Sequence, residues 1–503
     1  MIKESSLRES NPWWKSAKNI DDDKKIREWK NSRIKYDPRL RHKIKFYEDN
    51  DVVYTLRGPR QVGKTTLIKL QIREFIKRVG ISPHNIFYYA LDLAESKQDV
   101  VDAVEKYLKM TSRQRKNKRN YIFLDEVSSI ENWQKGIKSL VDSDKLKNCT
   151  VLATGSQALN IKKESERLPG RKGLTSEAQD KILLPMKFAE FVEIMNPEIK
   201  KLSRNLQLLP SIQRKKIFNR LVNLQIDDTL DKLYNYQNEL NELLHEYLLT
   251  GGTPKIVDEK IKKGFIDEPL YTDYLDGFLG DWGLEGKDPT LLKQMIGEII
   301  KSVGSLSSWN NISRDADIGS THTVIDYVHT LQRLFVISVF FRFGHDKKIP
   351  MIKDQKKIHF EDPFYFHLFR GWLSTKNSFE LSEQFLEDSK NESQLVEGVI
   401  GHHLIRWAFA ISKKKQTFEP VSHVFYWRND KKKEVDFILY DGDKLQLPIE
   451  VKFQEKVYGK KLSGFYSFLD TTKQKSGIVI TKDELDVEKE YVKIPASLFL
   501  MLI

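Results

Sequence analysis

The stretch GPRQVGKTT (Gly58–Thr66) constrains the fold of this chain more than any other feature. It fits the pattern G-x-x-x-x-G-K-[ST]. An apolar run, VVYTL, precedes it and an amphipathic run, LIKLQIREFIKRV, follows it. A strand, a glycine-rich loop and a helix in this order form a cradle for phosphate, because loop N–H groups and the positive helix end converge on one anion. The stretch therefore predicts an α/β fold with a nucleotide site.

Each residue type in this loop suits the binding of ATP with Mg²⁺. The glycines let backbone N–H groups curl round the β-phosphate. Lys64 is expected to reach the β- and γ-phosphates, and the Thr65 hydroxyl is expected to hold Mg²⁺. A loop that binds no nucleotide is the alternative. The predicted cofactor-binding residues of the loop are Gly58, Pro59, Arg60, Gln61, Val62, Gly63, Lys64, Thr65 and Thr66.

A second motif, YIFLDEV (Tyr121–Val127), ends an apolar run with two acids. Asp125 is predicted to lie near Mg²⁺, and Glu126 is predicted to orient and deprotonate the attacking water. The alternative is an acidic pair at a strand end on the surface. In the later run TVLATGS, Thr154 and Ser156 either sense the γ-phosphate or form a simple turn after a strand.

Apolar runs and helical patterns alternate through this part of the chain. VVYTL, IFYYALDL, YIFLDEV and TVLATGS are predicted strands, and amphipathic segments such as NWQKGIKSLVD lie between them. This alternation is typical of a parallel α/β sheet. The charged, helix-like residues 196–248 are interpreted as a helical insertion or lid.

A helix–turn–helix pattern occupies Ser307–Phe343. A short helix, a turn at Gly319, a longer helix through Leu334 and strands are expected, which is a winged-helix arrangement. It either places its second helix in a major groove or packs without DNA. The better candidates for phosphate contacts are Arg342, His345, Lys347 and Lys348 in the wing. The predicted apolar core is Ile312, Ala316, Ile318, Val324, Tyr327, Val328 and Leu331.

Near the C-terminus, WRNDKKKEVDFILYDGDKLQLPIEVKFQ predicts a β-hairpin with acids on its strands. Because side chains alternate along a strand, Glu450 and Lys452 share one face, and Asp436 can approach Glu450 from the first strand. Asp436 and Glu450 suit Mg²⁺ or Mn²⁺, and Lys452 would orient a hydrolytic water. A surface salt bridge between Glu450 and Lys452, or a domain that binds without cutting, is the alternative.

Together these motifs resemble an archaeal AAA+-type P-loop ATPase family. The resemblance rests on GPRQVGKTTL, IFLDEVSSIENW, TGSQALNI, LPGR, LLPMKFAEFVEI and EYLLTGGTP in this order. It implies an ATPase domain, a winged helix and a C-terminal domain similar to PD-(D/E)XK nucleases. It also implies that Arg171 meets the γ-phosphate or an adjacent subunit, unless Arg171 forms a structural salt bridge. In the nuclease-like domain the resemblance implies one more acidic residue, Glu397, on a helix.

The predicted organisation follows these motifs. A segment of residues 1–45 packs on a P-loop domain of residues 46–285, which contains the 196–248 insertion. A winged helix occupies residues 286–380. A polar linker, residues 381–393, leads to the nuclease-like domain of residues 394–503.

Charge and cysteine content limit the class of partner and the cellular compartment that the sequence predicts. Lys and Arg number 84 against 71 Asp and Glu, a formal net charge of +13 that favours a polyanion partner or simply a charged, solvated surface. Cys149 is the single cysteine, which suits a reducing cytoplasm. Neither a signal peptide nor a membrane span is expected.

The sequence thus predicts a cytoplasmic, Mg²⁺-dependent ATPase that binds and processes DNA, with a metal-dependent nuclease-like domain. The alternative is an ATP-dependent switch that binds a partner and carries an inert nuclease fold. A homo-oligomer is compatible with either prediction.

Overall fold

The computed structural model divides the chain into two compact units, Met1–Leu184 and Pro185–Ile503. The residues that the structure describes are 2–46, 50–116, 119–155, 178–208, 211–412, 415, 418–443 and 445–503.

The described part of the first unit contains a five-stranded parallel sheet. Its strands are β1 (Val52–Arg57), β2 (Ile86–Ala90), β3 (Asn120–Asp125), β4 (Cys149–Thr154) and β5 (Asp180–Ile182). The order across the sheet is β2-β3-β4-β1-β5. The four predicted strands are confirmed. The short β5 lacks a long apolar run and was not predicted.

Helices cover both faces of this sheet, so its strands read as nearly continuous apolar runs. The helices are Glu4–Ser10, Lys24–Asn31, Lys64–Glu74, Lys97–Met110 and Trp133–Asp142. Val53 of β1 packs in the core beneath Lys97–Met110 and Trp133–Asp142, whereas its neighbour Tyr54 packs in the core beneath Lys64–Glu74. The N-terminal segment contributes to both cores, through Leu7 on one face and Trp13 on the other.

The second unit begins with helices and ends in a mixed sheet. Its helices are Phe188–Met195, Pro197–Asn205, Ser211–Val222, Asp228–Tyr234, Gln237–Thr250, Pro254–Lys263, Glu268–Leu284, Pro289–Ser302, Trp309–Asp315, Thr321–Arg333, Pro363–Trp372, Ser378–Leu386, Ser389–Ile411, Ser463–Thr472 and Ala496–Leu502. Its strands are β6 (Leu306–Ser307), β7 (Ile337–Gly344), β8 (Ile349–Phe360), β9 (Val424–Arg428), β10 (Glu434–Tyr440), β11 (Gln446–Val451), β12 (Gly477–Thr481), β13 (Asp486–Val487) and β14 (Tyr491–Pro495).

In the described residues these strands form one nine-stranded sheet with the order β13-β14-β12-β11-β10-β9-β7-β8-β6. β10 and β11 form the predicted antiparallel hairpin, with Phe437 opposite Ile449. β7 runs parallel to β9, with Arg342 opposite Tyr426. The strands predicted as the wing of a separate domain therefore continue the sheet of the C-terminal hairpin.

The helix–turn–helix elements are present where the sequence predicts them. Helices Trp309–Asp315 and Thr321–Arg333 precede β7 and β8, and all the predicted core residues of this segment are buried. Asp326 on the second helix forms an ion pair with Lys287. The winged-helix role in DNA binding stays a prediction.

The polar run predicted as a linker lies in two helices, and its role as a linker stays a prediction. Asn377 accepts hydrogen bonds from the backbone N–H groups of Phe379 and Glu380 and caps Ser378–Leu386. Asp388 accepts from the N–H of Lys390 and caps the next helix, Ser389–Ile411. Such caps satisfy the free N–H groups of a first turn, so a polar run can be helical.

The predicted domain limits also differ from the observed units. The P-loop domain was expected to extend to residue 285, whereas the compact units divide at Leu184 and Pro185. The described residues of the 196–248 insertion are largely helical but belong to the second unit. The remaining predicted boundaries stay predictions. Across the described residues, no helix combines the length and the apolarity that crossing a bilayer requires.

Candidate functional sites

The loop between β1 and the helix Lys64–Glu74 holds its two motif glycines at positions that favour a residue without a side chain. Gly63 has φ +104°, a left-handed conformation that favours glycine. Gly58 lies so close to β5 that an added Cβ would approach the Leu183 carbonyl oxygen to 2.0 Å. Both glycines of the motif are therefore fixed by conformation or by space, as a loop that wraps an anion requires.

Lys64 lies buried at the start of this helix and points back into the loop. Its Nζ donates hydrogen bonds to the carbonyl oxygens of Gly58 and Pro59, each at 3.0 Å. Arg60 and Thr66 are partly buried, Gln61 is exposed, and Val62 packs in the core. The loop thus holds a buried ammonium on backbone carbonyl groups, beside the N–H groups of a helix start.

Asp125, at the end of β3, receives three side-chain hydroxyl groups. Thr65 Oγ1 donates to Oδ2 at 2.8 Å, Tyr88 OH donates to the same oxygen at 3.0 Å, and Thr154 donates to Oδ1. Burial and then the charge of Asp125 raise the pKa of Tyr88 above its usual range, so its hydroxyl stays a donor. The structure brings together Thr65 and Asp125, the predicted Mg²⁺ ligands. The donors to Asp125 are neutral hydroxyl groups that can rotate their protons away, so these hard oxygens fit that ion.

Glu126 directly follows Asp125 and is partly buried. Its φ of +53° is a left-handed conformation that few non-glycine residues adopt. This turn ends β3 and directs the backbone away from the sheet immediately after Asp125. Ser156 and Arg171 lie outside the described residues, so their predicted roles stay predictions.

The N-terminal segment reaches this site through Tyr88, a connection that sequence reasoning missed. Asn11 pairs with both backbone groups of Tyr88, at 2.7 and 2.8 Å. The ring of Tyr88 lies 3.3 Å from Nζ of Lys69, which forms an ion pair with Asp23 at 3.1 Å. The available signal was a tyrosine in the buried run IFYYALDL, because a buried hydroxyl needs a partner.

The second site lies in the nine-stranded sheet, where the hairpin acids meet. Asp436 Oδ2 accepts a hydrogen bond from the N–H of Val451 at 2.8 Å, and Glu450 Oε2 accepts from the N–H of Asp436 at 3.4 Å. Nζ of Lys452 lies 2.5 Å from Glu450 Oε1 and 3.8 Å from Asp436 Oδ2. The predicted trio of Asp436, Glu450 and Lys452 therefore converges.

A β-bulge places Asp436 in this position. The pairing of β10 with β9 shifts between Val435 and Ile438, so the alternation of side chains is interrupted there. Glu397, on helix Ser389–Ile411, lies near these side chains, and its predicted role as a further acid stays a prediction.

Lys357 on β8 stands at the centre of this cluster, and sequence reasoning did not single it out. Its side chain is 1% exposed, and its Nζ lies 2.8 Å from Asp436 Oδ1. The same Nζ lies 3.0 Å from Glu397 Oε1 and 2.8 Å from Glu434 Oε1. We name this group, Lys357, Glu397, Glu434, Asp436, Glu450 and Lys452, the lysine–carboxylate cluster.

The pKa values in the lysine–carboxylate cluster follow from these contacts. Burial acts to raise the pKa of Asp436, but the charges of Lys357 and Lys452 outweigh it and hold that pKa below its usual range. Burial, then the charge of Asp436, raises the pKa of Glu450. Burial acts to lower the pKa of Lys357, but the surrounding carboxylates raise it well above its usual range. Lys357 is therefore a fixed positive charge.

The predicted divalent metal does not fit the lysine–carboxylate cluster as it stands. Each carboxylate oxygen of Asp436 and Glu450, the two predicted ligands, already faces an ammonium or a backbone N–H. Within the described residues, no group of three or more His, Cys, Asp or Glu side chains is arranged to hold a metal ion. The missed signal was Lys357 and His359 alternating with Ile358 and Phe360 in KKIHF.

Comparison with known families assigns part of the chain. Residues 50–192 match a family described as "AAA domain". Residues 241–376 and 392–499 match two families described as domains of unknown function, DUF8612 and DUF4143.

Curated relatives include uncharacterized proteins of Haemophilus influenzae and Methanocaldococcus jannaschii. The first is 26% identical over 306 residues, 58% of this chain and 62% of that protein. The second is 24% identical over 340 residues, 65% of this chain and 60% of that protein. The chain thus spans about three fifths of the length of each of these relatives.

Similar solved structures include a Walker-type ATPase of Pyrococcus abyssi, with a TM-score of 0.36 and 14% identity over 63% of this chain and 91% of that chain. The ORC2 protein of Aeropyrum pernix has a TM-score of 0.35 and 12% identity over 66% of this chain and 89% of that chain. The AAA match and the geometry of Lys64, Thr65 and Asp125 agree. Residues 50–192 of this chain therefore contain a P-loop ATPase domain of the AAA+ type.

Proposed function

We propose that this chain hydrolyses ATP with Mg²⁺ and that its nucleotide state controls binding of DNA by the residues that follow the P-loop domain. The observation that carries the ATPase part is the contact between Thr65 Oγ1 and Asp125 Oδ2, at 2.8 Å, next to the buried ammonium of Lys64. A hydroxyl, a carboxylate and an ammonium in this arrangement suit a nucleotide triphosphate with its metal ion.

The chain's own residues would divide the work of hydrolysis. Lys64 exchanges its contacts with Gly58 and Pro59 for phosphate oxygens and neutralises their charge. Glu126 orients the attacking water and accepts its proton. Thr65 and Asp125 would hold Mg²⁺, which when bound supplies charge neutralisation at the phosphates.

The ATPase proposal is tested by two substitutions with different outcomes. Lys64→Ala is expected to abolish hydrolysis, because the phosphates lose the side chain that neutralises them. Glu126→Gln is expected to bind ATP but to hydrolyse it more slowly by about 10²-fold or more, because only the base is lost. ATP binding is measured by calorimetry, and the rate of ATP hydrolysis is measured as phosphate release.

Glu131→Gln is the matched control, since Glu131 is an exposed glutamate of the same region. It should keep the wild-type rate. A wild-type rate in Glu126→Gln would exclude Glu126 as the base.

DNA as the partner is supported by charge. The chain carries a net charge of +13, and Lys347 and Lys348 are exposed in the turn between β7 and β8. Lys348 also donates to the Asp443 carbonyl oxygen at 3.1 Å, which leaves its other two N–H groups for a phosphate. Arg342 is more strongly engaged, because it pairs with Asp354 and donates to the Arg428 carbonyl oxygen. His345 lies 2.9 Å from Asp346. The two lysines are therefore the stronger phosphate candidates in the wing.

We expect DNA affinity to fall as salt rises, with a slope of about −0.9 in log K against log salt for each phosphate neutralised. Changing Lys347 and Lys348 together to Ala should lower the magnitude of that slope by up to about 2. Fluorescence anisotropy with duplex and single-stranded DNA measures it. The exposed pair Lys376 and Lys390, changed in the same way, is the charge-matched control. A DNA affinity that does not change with salt concentration would exclude DNA as the partner.

Of the two predicted roles for the C-terminal domain, the geometry favours binding over cutting. Metal-dependent DNA cleavage by Asp436, Glu450 and Lys452 stays a prediction, and it requires carboxylate oxygens that are free for a metal ion. The oxygens of Asp436 and Glu450 are engaged by nitrogen donors. We therefore propose an ATP-dependent switch that binds DNA through a domain without nuclease activity. Assembly into a homo-oligomer also stays a prediction.

A further inference from the structure

Three oxygens of the lysine–carboxylate cluster converge on one point, and a nitrogen of the chain occupies it. Asp436 Oδ1, Glu397 Oε1 and Glu434 Oε1 all lie within 3.0 Å of Lys357 Nζ. They come from a bulged strand and from a helix, so they meet only in the folded sheet. Carboxylate oxygens are also the ligands that a hard divalent cation prefers, but around the ammonium their present arrangement is not one that holds a metal ion.

Lys357 cannot leave this position easily, because its strand and its neighbours fix it. β8 pairs with β7 throughout this region, with Ile358 opposite Val339. Helix Ser389–Ile411 packs closely on the strand: a Cβ added at Gly398 would lie 3.1 Å from Nδ1 of His359. The ammonium is 1% exposed, and a buried charge is held strongly by carboxylate partners because water does not compete for it.

The neighbouring lysine provides a contrast. Lys356 is also buried, but it points to the opposite side of the strand, and its Nζ lies over the ring of Trp309 at 4.6 Å. The alternation of a strand therefore separates two adjacent buried lysines, and one of them faces the carboxylates.

We propose that Lys357 is the resident cation of the lysine–carboxylate cluster and that it excludes divalent metal ions from the point between Asp436, Glu397 and Glu434. Lys357 supplies the positive charge that balances the carboxylates, and Lys452 adds a second ammonium on the other side of Asp436. A metal ion and the Lys357 ammonium cannot occupy the same point. Removing Lys357 leaves three partly buried carboxylates facing one another without their shared cation, so the cluster becomes a site for Mg²⁺ or Mn²⁺.

The proposal is tested by counting Mn²⁺ bound to the full-length chain without nucleotide, by electron paramagnetic resonance. Wild type and Asp436→Asn should bind the same number of ions. Lys357→Met should gain one Mn²⁺ per chain, with affinity about tenfold or more above any wild-type binding at this cluster, since hard carboxylate oxygens favour divalent cations. Adding Asp436→Asn to Lys357→Met should remove the gained ion.

Lys356→Met is the matched control, because it removes a buried lysine of the same strand from the opposite face. It should gain no Mn²⁺. Circular dichroism and urea unfolding establish that each variant is folded. If Lys357→Met does not fold, Lys357→Gln replaces it, and the comparison of wild type with Asp436→Asn still decides the main point.

Two results would overturn the proposal. The first is Mn²⁺ bound to wild type and lost in Asp436→Asn, which would show a metal ion displacing Lys357. The second is a folded Lys357→Met or Lys357→Gln chain that gains no Mn²⁺, which would show that Lys357 does not occupy a cation site. ATP hydrolysis is measured separately on each protein, so failure here is distinct from failure of the ATPase proposal.

Discussion

A single carboxylate at the end of β3 connects much of the first unit. Asp125 accepts hydrogen bonds from Thr65, Tyr88 and Thr154, which stand on three different elements. Tyr88 in turn is held by Asn11 of the N-terminal segment. The position of this carboxylate therefore depends on residues that no nucleotide-binding motif contains.

We expect Tyr88→Phe to raise the Mg²⁺ concentration for half-maximal ATP hydrolysis several-fold, because Asp125 loses a donor that orients it. The ring remains for Lys69 to lie against, so the loss of stability should be about 1 kcal/mol. Magnesium titration of the hydrolysis rate and urea unfolding measure the two effects. Tyr89→Phe is the control, since the Tyr89 ring packs on the opposite side of β2, near Phe87. An unchanged magnesium dependence in Tyr88→Phe would contradict a positioning role.

At the scale of elements, the helix Pro363–Trp372 is fixed by buried polar groups at its start and its middle. Asp362 caps it and also accepts a hydrogen bond from the N–H of Gly252 at 2.8 Å. A Cβ at Gly251 would approach Asp362 Oδ1 to 1.8 Å, which explains the first glycine of the GGTP motif. His367, fully buried, lies 2.9 Å from the Leu248 carbonyl oxygen through Nε2. These hydrogen bonds hold the helix against helix Gln237–Thr250 and the loop that follows it.

His367 should make the second unit less stable in acid. Burial lowers its pKa to about 3, so the folded state keeps it neutral while the unfolded state takes up a proton below the ordinary value of 6.5. The contribution of neutral His367 to the free energy of unfolding is therefore fully present above pH 6.5, and it is lost as the pH falls towards 3. Compared with His367→Gln, wild type should lose about 1.4 kcal/mol for each pH unit in that window.

Urea unfolding of both proteins at several pH values measures this difference. Asp362, whose pKa burial raises to about 6, contributes the opposite slope, but it is present in both proteins and cancels. Parallel curves for wild type and His367→Gln would show that His367 is not kept neutral.

At the scale of the whole molecule, the nine-stranded sheet joins regions that the motifs had separated. β7 and β8 come from the predicted wing, yet Lys357 of β8 contacts Asp436 of β10 and Glu397 of the long helix. A Cβ at Gly401 of that helix would approach the rings of Phe437 and Phe340 to 2.8 and 2.9 Å. The C-terminal region is therefore packed against the wing strands.

We expect residues 394–503, expressed alone, not to fold cooperatively, because β9 loses its neighbour β7 and the carboxylates lose Lys357. Residues 185–503 should unfold in a single transition. Urea unfolding followed by tryptophan fluorescence, with limited proteolysis, compares the two. A cooperative transition of residues 394–503 at the midpoint of the longer chain would show an independent domain.

Local signals in the sequence specify the P-loop and the strands that carry the acids. The phosphate loop follows from Gly58, Gly63 and Lys64, because a tight turn and a helix start are specified within a few residues. The strand ending in Asp125 and the hairpin carrying Asp436 and Glu450 follow from apolar periodicity and turn residues.

The groups that surround those acids depend on tertiary packing. Lys357 lies far from Asp436 in the chain and reaches it through the pairing of β7 with both β8 and β9. Tyr88 meets Asp125 because β2 and β3 are adjacent and parallel. Strand order and the bulge in β10 depend on the packing of the whole sheet, and no local pattern encodes which distant cation a buried carboxylate will meet.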